Sequence, residues 1–306
     1  MVSDNFKGHL AAIGTNVIFG LNISLTKALL MQNWIIPLGW TMTRMSFGFV
    51  MFWAFSFFAR REKIAMRDLP IVIACGMLGL VIPQFSFFIG LLYISPVMSS
   101  LIPALNPIFV LLLSALFLSD PISLKKTTGV IIGMSGAALA VLQYRNGGTS
   151  SNYFLGISLL LLSVVSNSSY LIVLRKIAGK YSPITIMKWM FLGAVVILSP
   201  FGISDLPKQR LYTPEVTILP IVMVIFSLII SGLLAVVLMP YALKRIKATT
   251  VSMYTNLQPL AASTAAIIAG QDIFSWDKPL ALILIVLGVF IVTRSQTLEK
   301  GEKKKP

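Results

Sequence analysis

The chain has 306 residues, of which 57% are hydrophobic and only 11% charged, with a mean hydropathy of +0.88. No soluble domain of this size hides that much apolar surface, so the expected solvent is lipid. The formal charge of +15 does not point to nucleic acid, because the basic residues are scattered between apolar segments and only Lys300–Pro306 forms a run, while the single cysteine, Cys75, excludes a disulfide framework and any multi-cysteine metal site.

Apolar stretches of about 20 residues recur, each long enough to cross a bilayer core of about 30 Å as a helix. They are expected at 9–31, 36–58, 69–92, 97–118, 124–143, 154–177, 183–201, 217–240, 248–269 and 277–294. The first is read as a span and not a cleaved signal peptide: it is too long, has polar residues in its middle and shows no small-residue cleavage site. The single histidine, His9, stands at its start as an interfacial residue. The tightest join is Ile94-Ser-Pro96, between the third and fourth stretches.

With the N-terminus inside, the cytoplasmic loops and termini hold nearly all the loop cations, among them Lys7, Arg60, Arg61, Lys63, Arg67, Lys125, Lys126, Arg175, Lys176, Lys180, Lys244, Arg245 and Lys247. The opposite side holds only Arg145, Lys208, Arg210 and Lys278. That bias sets both termini in the cytoplasm.

The sequence also repeats. Tyr93–Pro107 returns as Arg245–Pro259, with Ser100 meeting Ser252, Leu105 meeting Leu257 and Pro107 meeting Pro259 at an offset of 152; Asp120/Asp272, Ser123/Ser275 and Gly136/Gly288 continue the register. An earlier register, offset 148, pairs Gly8 with Gly156 and Lys27 with Arg175, and the polar stretch Gly202–Glu215 is the natural place for the extra residues. Five spans per half is an odd number, so the second half is expected to be inverted. The fold expected is an all-α polytopic membrane protein of ten transmembrane helices in two inverted five-helix repeats, 8–143 and 154–294, followed by a basic cytoplasmic tail, 295–306.

Gly8 with Phe19-Gly20 and Lys27, Pro37 and Arg44, Leu-Asn-Pro107 ending at Asp120, Leu-Gln-Pro259 ending at Asp272, and the glycines Gly129, Gly133, Gly136 and Gly288 recur in order. In this the chain resembles the drug/metabolite transporter superfamily, specifically its EamA type, over residues 8 to 294. The resemblance implies export or exchange of small metabolites, with amino acids and related compounds foremost, through a cavity lined by the first, third, fourth, sixth, eighth and ninth helices. The chain departs from the pattern at Asn106 and Gln258, where relatives commonly carry Glu; the amides remove an ionisable group from the path.

Lipid offers no hydrogen-bond partners, so polar groups within spans must face protein or a water-filled path. The substrate-path candidates are Asn16, Asn22 and Lys27 in the first span, Arg44 in the second, Gln84 and Phe85 in the third, and Ser99 and Asn106 in the fourth. Ser163, Asn167 and Tyr170 follow in the sixth, and Ser252, Tyr254, Asn256 and Gln258 in the ninth. Trp40, Phe88 and Trp189 could supply aromatic walls. Each polar candidate fits either of two readings, cavity lining or helix–helix hydrogen bonding. Asn16, Gly20, Ile23 and Lys27 share one helical stripe. Lys188 is expected to snorkel to the inner surface. Arg44 has two readings, a structural brace for carbonyls near a kink, or an attractor for a carboxylate or phosphate.

All 10 acidic residues lie outside the spans or at their ends, so no carboxylate is available in mid-membrane as a proton relay or cation partner. Neither a His-Glu-x-x-His motif nor a nucleophile–histidine constellation occurs, so no enzymatic role, cofactor or metal site is expected. The reading is a carrier in the cell (inner or plasma) membrane that moves a neutral, zwitterionic or anionic metabolite by alternating access, with the bilayer and a small molecule as its partners. Its alternatives are a carrier of phosphorylated or nucleotide-linked anions held by Lys27 and Arg44, and a non-transporting scaffold or intramembrane enzyme.

Overall fold

The computed structural model describes residues 4–58, 62–118, 124–144, 152–174, 176–177 and 180–235, then 238, 241–242, 245, 254, 257–272, 276, 279–288 and 290–291. Its regular elements are helices. They run α1 Asp4–Met31, α2 Pro37–Phe58, α3 Leu69–Tyr93, α4 from Pro96 to Leu118, α5 Leu124–Tyr144, α6 Tyr153–Leu174, α7 Pro183–Gly202, α8 Ile218–Leu234, α9 Leu257–Ile268 and α10 Pro279–Gly288. Among the described residues, five stretches are long and apolar enough to cross a membrane: Asn5–Met31, Leu69–Tyr93, Pro96–Phe117, Tyr153–Leu174 and Pro183–Asp205. Over the described residues α8, α9 and α10 are shorter apolar helices. Phe58, Ile218 and Ile268 leave 92%, 81% and 81% of their surface uncovered, which suits side chains facing lipid better than water.

Local chemistry sets the ends. Ser95 and Ser182 each stand in extended backbone before a proline, and each hydroxyl accepts a first-turn amide, from Met98 and Thr185 respectively. That pairing of a serine cap with proline at the first helical position starts α4 and α7. At the far end of α1, Asn33 takes a left-handed φ of 57°, the Asn33 amide donates to Leu30 and the Trp34 amide to Leu29. At the end of α9, Gly270 (φ 66°) does the same, with its amide on Ile267 and that of Gln271 on Ala266. Both are left-handed terminations that satisfy the last carbonyls.

Two helices are locally widened. In α3 the segment Met77–Val81 is a π-helix, with the Ile82 amide donating to Met77. In α8 the segment Phe226–Leu234 is π-helical, with the Ala235 amide donating to Ile230. Pro83 follows the first directly and has no N–H to continue the ordinary ladder. The second contains Ser231-Gly232, a weak helical pair, instead of a proline. The two widenings begin 149 positions apart, close to the register of the sequence repeat.

Packing between the halves is reciprocal. Helix α1 of the first half packs on α9 and on the π segment of α8, while α6 of the second half packs on α4 and on the π segment of α3. Helices α2 and α7 pack on each other. One contact repeats in detail: Gly20 in α1 lies against the Gln258 carbonyl, and Ser168 in α6, 148 positions on, lies against Asn106, the counterpart of Gln258. Each half thus lends its first helix to the other. The glycines of α5 let α10 come close: Gly288 of α10 seats on Gly129 and Gly133, and Gly136 faces Ala281.

Polar clasps join the halves at both ends of α2. Where α2 begins, the connector after α7 reaches across: the Leu211 amide donates to the Trp34 carbonyl at 3.1 Å, Arg210 lies 4.7 Å from the Trp34 ring centroid, and Tyr212 meets the Thr43 hydroxyl at 2.8 Å. Where α2 ends, the segment before α3 grips the start of α7. The Tyr181 hydroxyl donates to Asp68 at 2.8 Å, Lys180 donates to the same carboxylate at 3.1 Å, and the Ser182 amide donates to Glu62 at 2.8 Å.

Candidate functional site

The site lies where α2, α3 and α8 meet. Arg44 is seven residues into α2, about 10 Å along it at 1.5 Å per residue. Its Nε–H donates to Gln84 Oε1 at 2.8 Å, and one terminal nitrogen donates to the Ser227 hydroxyl at 2.9 Å and, at 3.5 Å, to the Ser227 carbonyl. The guanidinium carbon stands 5.9 Å from the ring centroid of Phe88, which is buried with Trp40 in one apolar cluster. Gln84 follows the widened turn of α3 by one turn, and Ser227 is inside the widened segment of α8. The cation is therefore held between the two places where the helices depart from regular winding, and its bond to Ser227 crosses from one half to the other.

All of its acceptors are neutral. A guanidinium has five donors, and among the described residues nothing accepts from its second terminal nitrogen. An arginine at a helix centre costs about 2.5–3.5 kcal/mol on insertion scales, and among the described residues Arg44 has no carboxylate partner to offset it. One turn earlier on the same face of α2, Trp40 is fully buried and its indole N–H has no acceptor among the described residues.

Lys27 is placed differently. It is 8% exposed, and its ammonium donates to the carbonyls of Leu91 and, at 3.2 Å, Leu92, the last turn of α3. A cation there closes orphan carbonyls and meets the negative end of the helix dipole. Lys188 is half-buried and lies 4.0 Å from the Trp53 ring centroid, a cation–π contact between α7 and α2.

The other candidates sort by partner. Asn16 is buried, donates to the Ala12 carbonyl and accepts from Gln258 at 2.8 Å. With Gly20 and Ser24, whose hydroxyl donates to the Ala262 carbonyl, it makes a seam against α9, whereas Ile23 of the same stripe sits in the apolar core. Asn106 Oδ1 accepts from Ser168 at 2.6 Å. Ser163 and Ser166 of α6 donate to the carbonyls of Pro83 and Leu78, bracing the widened part of α3. Tyr170 covers Gly79 in that turn. Tyr254 meets His9 at 2.8 Å. Ser99 is buried and, among the described residues, neither its hydroxyl nor the buried Oδ1 of Asn22 has a hydrogen-bond partner. Phe85 and Asn167 are half-buried on α3 and α6. Ser252 and Asn256 lie outside the described residues, as does the tail 295–306.

Sequence reasoning missed Ser227 and Ser166. Two serines in the otherwise apolar α8, Ser227 and Ser231, were the available signal.

A helical bundle with long apolar helices and lipid-suited outer faces defines an integral membrane protein. The EamA-like transporter family model matches residues 6–142 and again 154–294. The chain belongs to that family, and it is a membrane transporter of small molecules. It is 28% identical over 77% of its length to an uncharacterised transporter of Archaeoglobus fulgidus, covering 81% of that protein. It is 23% identical to a probable terminal-alkyne amino-acid exporter of Streptantibioticus cattleyicolor, over 78% of each chain, and 24% identical to a WAT1-related protein of Arabidopsis thaliana, over 81% of this chain and 76% of that one. A solved crystal structure at 20% identity superposes with a TM-score of 0.59 over 95% of this chain and 99% of the other, a likeness of fold.

Proposed function

We propose that the chain is an alternating-access carrier of ten spans in two inverted repeats, with both termini cytoplasmic, that moves amino-acid-like or other neutral, zwitterionic or anionic metabolites outward or by exchange. The observation that carries this reading is the reciprocal packing of α1 on α9 and α6 on α4 around the Arg44 node, with one polar clasp at each end of α2. Two halves that exchange their first helices can rock as units, breaking one clasp while keeping the other. The doubled family match supports the repeat, and the name of the Streptantibioticus relative supports amino-acid-like cargo. The reading in which Lys27 and Arg44 together hold a phosphorylated or nucleotide-linked anion is weakened, because Lys27 is spent on the carbonyls of Leu91 and Leu92.

The test is a thermal-shift screen of purified protein against a metabolite panel, followed by efflux of each hit from preloaded proteoliposomes. A ligand that binds only the folded state raises its melting temperature, and the carrier moves that compound down its gradient. Hits that bind without crossing would instead favour the scaffold reading.

A further inference from the structure

We propose that Arg44 is the docking point for a substrate carboxylate, which displaces the Ser227 hydroxyl from the guanidinium and so loosens the tie between the halves. The inference rests on the carrier reading above and names the chemical class of its cargo.

Three observations carry it. The first is charge. Arg44 is held by an amide oxygen, a hydroxyl and a backbone carbonyl, none of which cancels a unit charge. All 10 acidic residues of the chain lie outside the spans or at their ends. In a water-poor bundle an unmatched cation is costly, and a substrate that brings the missing charge recovers that cost on binding.

The second is the arrangement of donors. Arginine binds a carboxylate best as a fork, through two parallel N–H bonds. The Nε side of the fork is occupied by Gln84, which orients the group. The edge formed by the two terminal nitrogens is half-occupied, by Ser227 on one, and open on the other among the described residues. The first terminal nitrogen already gives its N–H groups to the Ser227 hydroxyl and carbonyl, so a carboxylate spanning both terminal nitrogens competes with Ser227 for it. One turn away on the same face of α2, the buried Trp40 indole N–H has no acceptor among the described residues and is a further donor.

The third is mechanical. Ser227 is in the widened segment of α8, and its bond to Arg44 joins second half to first. Exchanging an internal hydroxyl for the substrate removes one cross-half contact when cargo arrives, and the π-helical backbone around Ser227 is a natural place for a local shift. One carboxylate against one guanidinium makes a neutral pair. A phosphate dianion would leave a negative charge over, since Lys27 is already engaged. The apolar cluster around Trp40 and Phe88 suits a cargo with an apolar body.

The test uses alanine, leucine and phenylalanine, each with its matching amide and its decarboxylated amine, in proteoliposome efflux and thermal shift. Wild-type protein is expected to bind and move at least one of the three acids and neither of its matched derivatives. Arg44→Gln should weaken that acid at least about tenfold, the order expected for a lost charge-assisted pair. Arg44→Lys, which keeps the charge without the fork, should lose less. Ser227→Ala should bind the acid several-fold more tightly, because no hydroxyl need be displaced. Melting of each variant without ligand confirms that it is folded. Amides or amines moving as readily as acids, or acids indifferent to Arg44→Gln and Arg44→Lys, would overturn the assignment and leave the carrier reading standing. If none of these compounds binds or moves, the assignment falls. The carrier reading falls with it only if the wider metabolite panel is inert too.

Discussion

Gln258 of α9 donates a 2.8 Å hydrogen bond to the buried Oδ1 of Asn16 in α1, joining the first helix of one half to the fourth of the other. In the counterpart junction Ser168 donates to Asn106 at 2.6 Å. Between helices in lipid there is little hydrophobic drive, so such bonds and close packing hold the pair. Gln258→Leu leaves Asn16 Oδ1 buried and unpaired and should cost about 1–2 kcal/mol. Asn16→Leu combined with Gln258→Leu should cost less than the two single changes together. Unfolding in mild detergent, read as a double-mutant cycle, measures both; strict additivity would mean the bond is unimportant.

Gly20 sets how closely those helices approach. A Cβ there would come within 2.5 Å of the Gln258 carbonyl oxygen and 2.7 Å of the Ala261 side chain. Gly20→Leu should therefore destabilise by about 2–3 kcal/mol, the range for overpacked sites, since backbone must move. Gly14→Leu on the same helix has nothing within 4 Å of the added carbon and serves as the control. Equal melting temperatures for the two variants would contradict the seam.

Lys27 should behave as a structural residue. Lys27→Met removes the donor from two carbonyls at the end of α3 and should lower stability by about 1.5–3 kcal/mol, as for a hydrogen bond to a charged group. The concentration dependence of transport in the folded fraction should not change. An unaltered melting temperature with selective loss of anion transport would restore the two-cation reading.

The clasp at Asp68 gives a pH dependence. The Tyr181 hydroxyl first, and Lys180 second, hold the Asp68 carboxyl below its usual range. A depressed carboxylate contributes stability that is complete above the unfolded value, about 3.9, and is lost as pH falls from there through the folded value. Thermal melts of the wild type should thus decline more steeply below about pH 4 than those of Asp68→Asn. Parallel profiles would show that the clasp carries no linkage.

The helices were legible because long apolar runs favour continuous helix, and α1 through α7 begin and end within a few residues of the expected places. The register at Pro107 and Pro259 foretold the matching junctions at Asn106 and Gln258. What stayed hidden was which face of each helix met which neighbour. Asn16 and Lys27 share a sequence stripe, yet one pairs with α9 and the other with the end of α3. The widened turns were only hinted at, by Pro83 in α3 and by Ser231-Gly232 in α8, and neither feature fixes where the winding opens. Ser227 drew no notice because a lone serine costs little in a span, and its importance comes from Arg44, 183 residues away.

The inversion of the two halves is tested most directly at equivalent loops. Lys125 stands in the first turn of α5, and Lys278 lies one position beyond its counterpart at the offset of 152. In a Cys75→Ser background, Lys125→Cys and Lys278→Cys are each exposed to a membrane-impermeant maleimide on intact cells and again after lysis. The account predicts that Lys278→Cys labels on intact cells and Lys125→Cys only after lysis. Labelling of both from the same side would contradict the inverted repeat and the alternating-access carrier built on it.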